Sequence, residues 1–209
     1  MDKILTGQDL FFLFSSYLLG SIPFGFLIAK YFYNVDIREL GSKSTGATNV
    51  YRCVSKRAGI MVFILDFFKG YFPVTLYFCL NHMTRMSLLS NYTIDYIAIA
   101  IALAGLIGHS KSIFLKFKGG KSAATGLGTI FALDYRVGFI CFVFWLSLVL
   151  TFRIVSLASI LATLSTILFM YLFKNPFPFT LYCLIGFIFV SVRHKDNIIR
   201  MIQGKEAKI

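Results

Sequence analysis

The sequence predicts an all-α polytopic membrane protein: a compact bundle of about seven transmembrane helices, N-terminus outside and C-terminus in the cytoplasm. Three observations carry this. Of the 209 residues, 57% are apolar and only 14% charged, with a mean hydropathy of +0.76. A soluble domain of this length lacks the polar side chains to cover so much apolar surface. The apolar residues gather into segments near the length of roughly 20 residues that a helical crossing needs. The cations, finally, alternate between dense and sparse connections, as the positive-inside rule requires.

Apolar segments run from about 10 to 32, 58 to 80, 94 to 108 and 154 to 173. The first reads as a retained helix and not as a signal peptide. Its leader has two acids against one lysine, its apolar run is long, and no A-x-A cleavage site follows. The stretch from Ser122 to Phe152 is too long for one span, too short for two full ones, and interrupted by Asp134, Tyr135 and Arg136. The last apolar piece, Phe179 to Val192, is short. Such segments fill nearly the whole chain, so residues 1–209 are expected to form a single integral-membrane domain with no room for a soluble one.

Charge sets the orientation. Arg38, Lys43, Arg52, Lys56 and Arg57 follow the first segment; Lys111, Lys116, Lys118 and Lys121 follow the third; Arg193, Lys195, Arg200, Lys205 and Lys208 lie in the tail. The opposite connections hold only Lys3, Arg85, Arg136 and Lys174. The three basic patches therefore face the cytoplasm, and an odd number of crossings is required. Helices at 122–133, 137–152, 154–173 and 179–192 satisfy the parity and give seven. The net charge of +12 is then that of cytoplasmic loops, and no nucleic-acid partner is implied. Cys53, Cys79, Cys141 and Cys183 form no CxxC pair and read as small apolar residues. No metal cluster appears.

The basic patches carry the unusual residues. In "GSKSTGATNVYR", 41–52, Gly41, Ser42, Ser44, Thr45, Gly46, Thr48 and Asn49 offer hydroxyls, amides and approachable backbone N–H groups, and Arg52 offers a bidentate fork for phosphate. Read alone, the same cluster also suits a solvated connection. In "GHSKSIFLKFKGGKSAATG", 108–126, Gly119 and Gly120 precede a helix expected to begin near Ser122, with Lys121 beside its N-terminus, an arrangement that suits phosphate. In the tail, His194 and Asn197 stand three apart, on one face of an expected helix. His194 suits a general base or a hydrogen-bond donor, or else an interfacial contact to lipid headgroups. Asp66 and Lys69, at i and i+3 inside the second segment, read as a mutually neutralising structural pair. His109 reads as a cap or as a wall of the site, His82 as incidental.

Taken together, "GSIPFG" at 20–25, "GSKSTGATNVYR" at 41–52, "LDFFKGYFPV" at 65–74, "GH" at 108–109, "FKGGKSAATG" at 117–126 and "RHKDNIIRMIQGKE" at 193–206 resemble one family. It is the bacterial integral-membrane glycerol-3-phosphate acyltransferases that use acyl phosphate as donor. The resemblance implies a seven-helix bundle in the cytoplasmic (inner) membrane with its active site on the cytoplasmic face. The implied activity is acyl transfer from acyl phosphate to the sn-1 hydroxyl of glycerol 3-phosphate, the first acylation of phospholipid biosynthesis. It implies Ser42, Arg52, Lys121, His194 and Asn197 as the catalytic set. Gly41, Gly46, Thr48, Asn49, Gly119 and Gly120 are expected to bind substrate, and Glu206 to act as a structural acid. No cofactor or metal is implied. The partners are the two substrates, membrane lipids and a peripheral enzyme that makes acyl phosphate. Two departures stand out: Lys43 and Ser122 occupy positions where the family usually has glycine. The rival reading, a transporter for a phosphorylated solute, requires polar residues at mid-membrane, where Asp66 and Lys69 lie, and two related halves.

Overall fold

In a computed structural model of the chain, residues 5–84 and 91–209 are described. Lys3 and Arg85 lie outside them, and so does the side chain of His82. The chain folds into two compact units that meet in sequence between Leu133 and Asp134. Among the described residues every regular element is helical.

The first unit begins with α1 (Gly7–Ser21). Thr6 caps it in a reciprocal pair with Asp9, whose N–H donates to Thr6 Oγ1 at 3.3 Å while its carboxylate accepts the Thr6 N–H at 2.8 Å. Pro23 cannot continue the ladder, so the chain breaks at Ile22–Pro23 and resumes as α2 (Phe24–Tyr33). The two together make the first apolar span, Gly7–Tyr33. A loop and the short α3 (Ala47–Cys53) lead into α4 (Lys56–Thr84). Next come α5 (Asn91–Ser110), a single 3-10 turn (Ile113–Leu115) and α6 (Ala123–Leu133).

Small residues let these helices approach closely, as helices in lipid must when there is no hydrophobic drive between them. A Cβ on Gly20 of α1 would stand 2.4 Å from the carbonyl oxygen of Gly105 in α5. One on Gly70 of α4 would stand 2.2 Å from that of Thr125 in α6. Buried hydroxyls add cross-helix bonds: Ser16 Oγ donates to Ile101 O at 2.8 Å, and Tyr77 Oη to Asp9 Oδ1 at 3.2 Å.

The second unit holds α7 (Tyr135–Phe152), α8 (Val155–Leu172), α9 (Phe177–Arg193) and α10 (Lys195–Ile202). Asp134 resolves the ambiguous stretch 122–152. It caps α7, accepting the N–H groups of Arg136 and Val137 at 2.8 and 3.3 Å. It also receives the Asn175 amide at 2.9 Å and pairs with Arg136 at 2.6 Å. Burial disfavours its charge, but these bonds, led by Arg136 and Asn175, hold its carboxyl at about 2. Trp145 Nε1 donates to Ser159 Oγ at 3.2 Å between α7 and α8.

The all-helical, multi-pass expectation is borne out. Among the described residues five helical segments are long and apolar enough to cross a membrane, six if the bent α9–α10 pair is one span, and α6 is a shorter apolar helix of 11 residues. One local expectation is corrected. His194 and Asn197 do not share an uninterrupted helix, because the chain bends by 63° between α9 and α10, and His194 sits at the break.

Candidate active site

The first polar loop is built around two anchors. Ile37 is wholly buried among Ile28, Ala29, Val50, Ala58 and Val62, which pins the loop to α2, α3 and α4. Asp36 pairs with Arg38 at 2.6 Å, and this guanidinium lies 4.4 Å over the Phe26 ring. The Arg38 hydrogen bond, foremost, holds the Asp36 carboxyl at about 2.

The second anchor is Asn49. Its Nδ2 donates to the carbonyls of Ile37, Leu40 and Ser44 at 3.3, 3.0 and 2.9 Å, and its Oδ1 accepts the Ser42 N–H at 3.0 Å. Expected among the substrate contacts, Asn49 is in this geometry the organiser of the loop. Gly41 must be glycine here: its φ is +54°, and a Cβ would stand 2.5 Å from Asn49 Oδ1. Lys43, in place of a glycine, also takes a positive φ of 57°. Ser42 is exposed at the loop surface, while Thr48 and Arg52 are half-buried on α3, whose N-cap is Gly46.

The second loop is drawn against the ends of α1 and α5. Ser112 Oγ donates to Ser21 O at 2.6 Å, and the Gly120 N–H donates to His109 O at 3.1 Å. A Cβ on Gly120 would stand 2.0 Å from His109 Nε2, and one on Gly119 would stand 2.2 Å from His109 O. The double glycine is thus the condition for the loop to close over His109. Lys121, half-buried, follows at once and precedes the first turn of α6.

Beneath this loop lies the buried ionic cluster. Lys69 Nζ is 2.6 Å from Asp66 Oδ1 and donates to Ile22 O at 2.9 Å. His109 Nδ1 is 3.5 Å from the same carboxylate oxygen. The lysine therefore meets a carbonyl at the Pro23 break, and the cluster ties α4 to the α1–α2 joint and to α5. His109 proves to be a support for the loop, through its backbone oxygen and its ring together.

In the second unit, His194 and Asn197 are both buried, at 4% and 5% exposure. His194 Nδ1 lies 2.7 Å from Val190 O. A carbonyl only accepts, so Nδ1 carries the proton and Nε2 holds the lone pair in the neutral ring. Glu206 gathers the tail: its Oε1 accepts from Asn197 Nδ2 and from Ser156 Oγ at 2.9 Å, and its Oε2 from Arg200 Nε at 2.8 Å. Burial works against the carboxylate, but these three donors hold its carboxyl below the usual range. Ser156 was not legible as a partner, since one hydroxyl in an apolar helix gives no sequence signal.

A family model described as "Glycerol-3-phosphate acyltransferase" matches residues 10–204. A glycerol-3-phosphate acyltransferase of Prochlorococcus marinus (strain NATL1A) is 42% identical over 208 residues, covering 97% of this chain and 98% of its own. One of Aquifex aeolicus (strain VF5) is 39% identical over 200 residues, covering 95% and 98%. Among solved structures, the glycerol 3-phosphate form of PlsY (YgiH), an integral membrane glycerol 3-phosphate acyltransferase, superposes with a TM-score of 0.86 at 38% identity. It covers 97% of this chain and 96% of that one. Its lysophosphatidic acid form gives 0.84 at 37%, with the same coverage. Matched by the family model over residues 10–204 and by these relatives over nearly its whole length, the chain belongs to the glycerol-3-phosphate acyltransferase family.

Proposed function

We propose that this protein transfers an acyl group from acyl phosphate to the sn-1 hydroxyl of glycerol 3-phosphate, giving 1-acylglycerol 3-phosphate and inorganic phosphate. The observation that carries the reading is near-complete coverage by a structure of a glycerol 3-phosphate form, with Ser42, Arg52, Lys121, His194 and Asn197 all present in this chain. Both substrates carry phosphate, and the donor is a mixed anhydride already activated for attack.

Arg52 and Lys121 hold phosphate oxygens and offset the charge that develops as phosphate leaves. Each charge-assisted hydrogen bond contributes about 1.5–3 kcal/mol. Gly41, Gly46, Thr48, Gly119 and Gly120 serve binding by shaping the two loops. Ser42 is a donor to phosphate or carbonyl oxygen, not a nucleophile. The sn-1 oxygen attacks the acyl carbon, the bond from that carbon to the phosphate oxygen breaks, and the hydroxyl proton passes to a phosphate oxygen of the substrate. His194 and Asn197 bind and orient. Acyl transfer is direct, with no acyl-enzyme.

In this reading residues 1–209 form one acyltransferase domain with seven crossings, the basic patches lie at the cytoplasmic face of the bacterial inner membrane, and acyl phosphate comes from a peripheral enzyme. The transporter reading loses support because Asp66 and Lys69, which it requires along a solute path, pair with one another. Purified protein given palmitoyl phosphate and glycerol 3-phosphate is expected to release one inorganic phosphate per 1-acylglycerol 3-phosphate formed. Phosphate release without lipid product contradicts the transfer.

A further inference from the structure

Ser122 stands at φ +64°, where a side chain is ordinarily strained, and it is buried at 1% exposure. Its hydroxyl lies 2.8 Å from Leu106 O, to which it donates, and 3.0 Å from Ser110 Oγ. Ser110, wholly buried, also donates to Gly120 O at 3.1 Å. Each serine has one proton. That of Ser122 goes to Leu106 O, so that of Ser110 is shared between Gly120 O and Ser122 Oγ. The two hydroxyls thus tie both flanks of Lys121 to the last turns of α5.

We propose that Ser110 and Ser122 form a hydroxyl clamp that fixes the Gly120–Lys121 segment in place, making them positioning residues for the lysine that meets substrate phosphate. In this chain a side-chain anchor thereby takes the place of the freely rotating glycine usual at position 122. The inference rests on the phosphate-binding role of Lys121 in the proposed function. It concerns geometry alone, since neither serine is asked to touch substrate.

The test compares wild type with Ser122→Gly, Ser122→Ala, Ser110→Ala and the Ser110→Ala/Ser122→Ala double variant, all purified in detergent. KM and kcat are measured for glycerol 3-phosphate and palmitoyl phosphate, alongside Tm. Ser122→Gly relieves the strain of the positive φ and removes the whole hydroxymethyl anchor, so it reports on the clamp even if the alanine variants, which remove the hydroxyl alone, fail to fold. The clamp predicts a five- to twenty-fold rise in KM for one of the two phosphate substrates in Ser122→Gly, with Tm within a few degrees of wild type. It further predicts that the double variant loses little more than either single alanine variant, because one network is broken once. Wild-type KM values in a folded Ser122→Gly protein overturn the clamp while leaving the acyltransferase reading intact. An inactive, well-folded wild type overturns the acyltransferase reading itself, and with it the clamp's catalytic role.

Discussion

Asn197 donates its side-chain amide to Glu206 across nine residues, so a residue expected in the catalytic set is held by one expected to be structural. Glu206→Gln keeps the shape but removes the charge that Arg200 and Asn197 address. A hydrogen bond to a charged acceptor is worth about 1.5–3 kcal/mol. Discounted for the half-exposed Arg200, the loss is expected to lower Tm by several degrees and activity by about tenfold or more. Thermal unfolding and initial rates on one preparation check both. Activity at the wild-type level would show that Asn197 is positioned without the acid.

The depressed carboxyls fix the sign of a pH effect. The ordinary value for Glu206 is 4.5, and its folded value lies below this. The carboxylate therefore stabilises the fold fully above about pH 4.5, and this is lost as pH falls through the folded value. Asp134 behaves in the same way, from 3.8 down to about 2. Thermal unfolding in detergent is expected to be flat with respect to these groups from pH 7 to 5 and to decline below pH 4.5. Glu206→Gln is expected to flatten the upper part of that decline.

Lys69→Met leaves the Asp66 carboxylate buried with its ammonium partner removed, a change that costs about 3–5 kcal/mol in buried pairs. Asp66→Asn/Lys69→Met removes both charges and is expected to recover much of the loss. Expression level and Tm of the single and double variants read this directly. A single variant as stable as wild type would mean that the pair does not hold the Pro23 break.

Much of the fold is legible in the sequence because hydropathy reports crossings directly. Segments read as 10–32 and 154–173 appear as Gly7–Tyr33 and Val155–Leu172. The stretch 122–152 was ambiguous because hydropathy sees Asp134 as an interruption and not as a cap, and only its bonds to Arg136, Val137 and Asn175 reveal the helix start. The candidate site was legible where polar and basic residues cluster between apolar segments, as at Arg52, Lys121 and His194, and where charges stand inside a segment, as at the Asp66–Lys69 pair. Its supports were not. Ser156 is unremarkable in an apolar run, Ser110 is one more hydroxyl in a polar patch, and Ser122 shows in the sequence only as a departure from glycine; their meaning comes from carbonyls and side chains distant in sequence. The 63° bend at His194 was likewise hidden, since no glycine or proline marks it.

Arg52→Lys keeps the charge and loses the planar fork that grips two phosphate oxygens at once. Activity is expected to fall by about a hundredfold or more, the scale of losing an electrostatic contact made in the transition state. Steady-state kinetics on folded protein decide it, and near-normal turnover would remove Arg52 from phosphate recognition.

The central claim is the reaction and its donor. Purified protein in detergent, radiolabelled glycerol 3-phosphate and palmitoyl phosphate, palmitoyl-CoA or palmitoyl-ACP in parallel test it most directly, with lipid-soluble label as the readout. Label from palmitoyl phosphate alone is the predicted result. Label from the thioesters but not from palmitoyl phosphate would overturn the donor, and no label from any donor in a monodisperse sample would contradict the account as a whole.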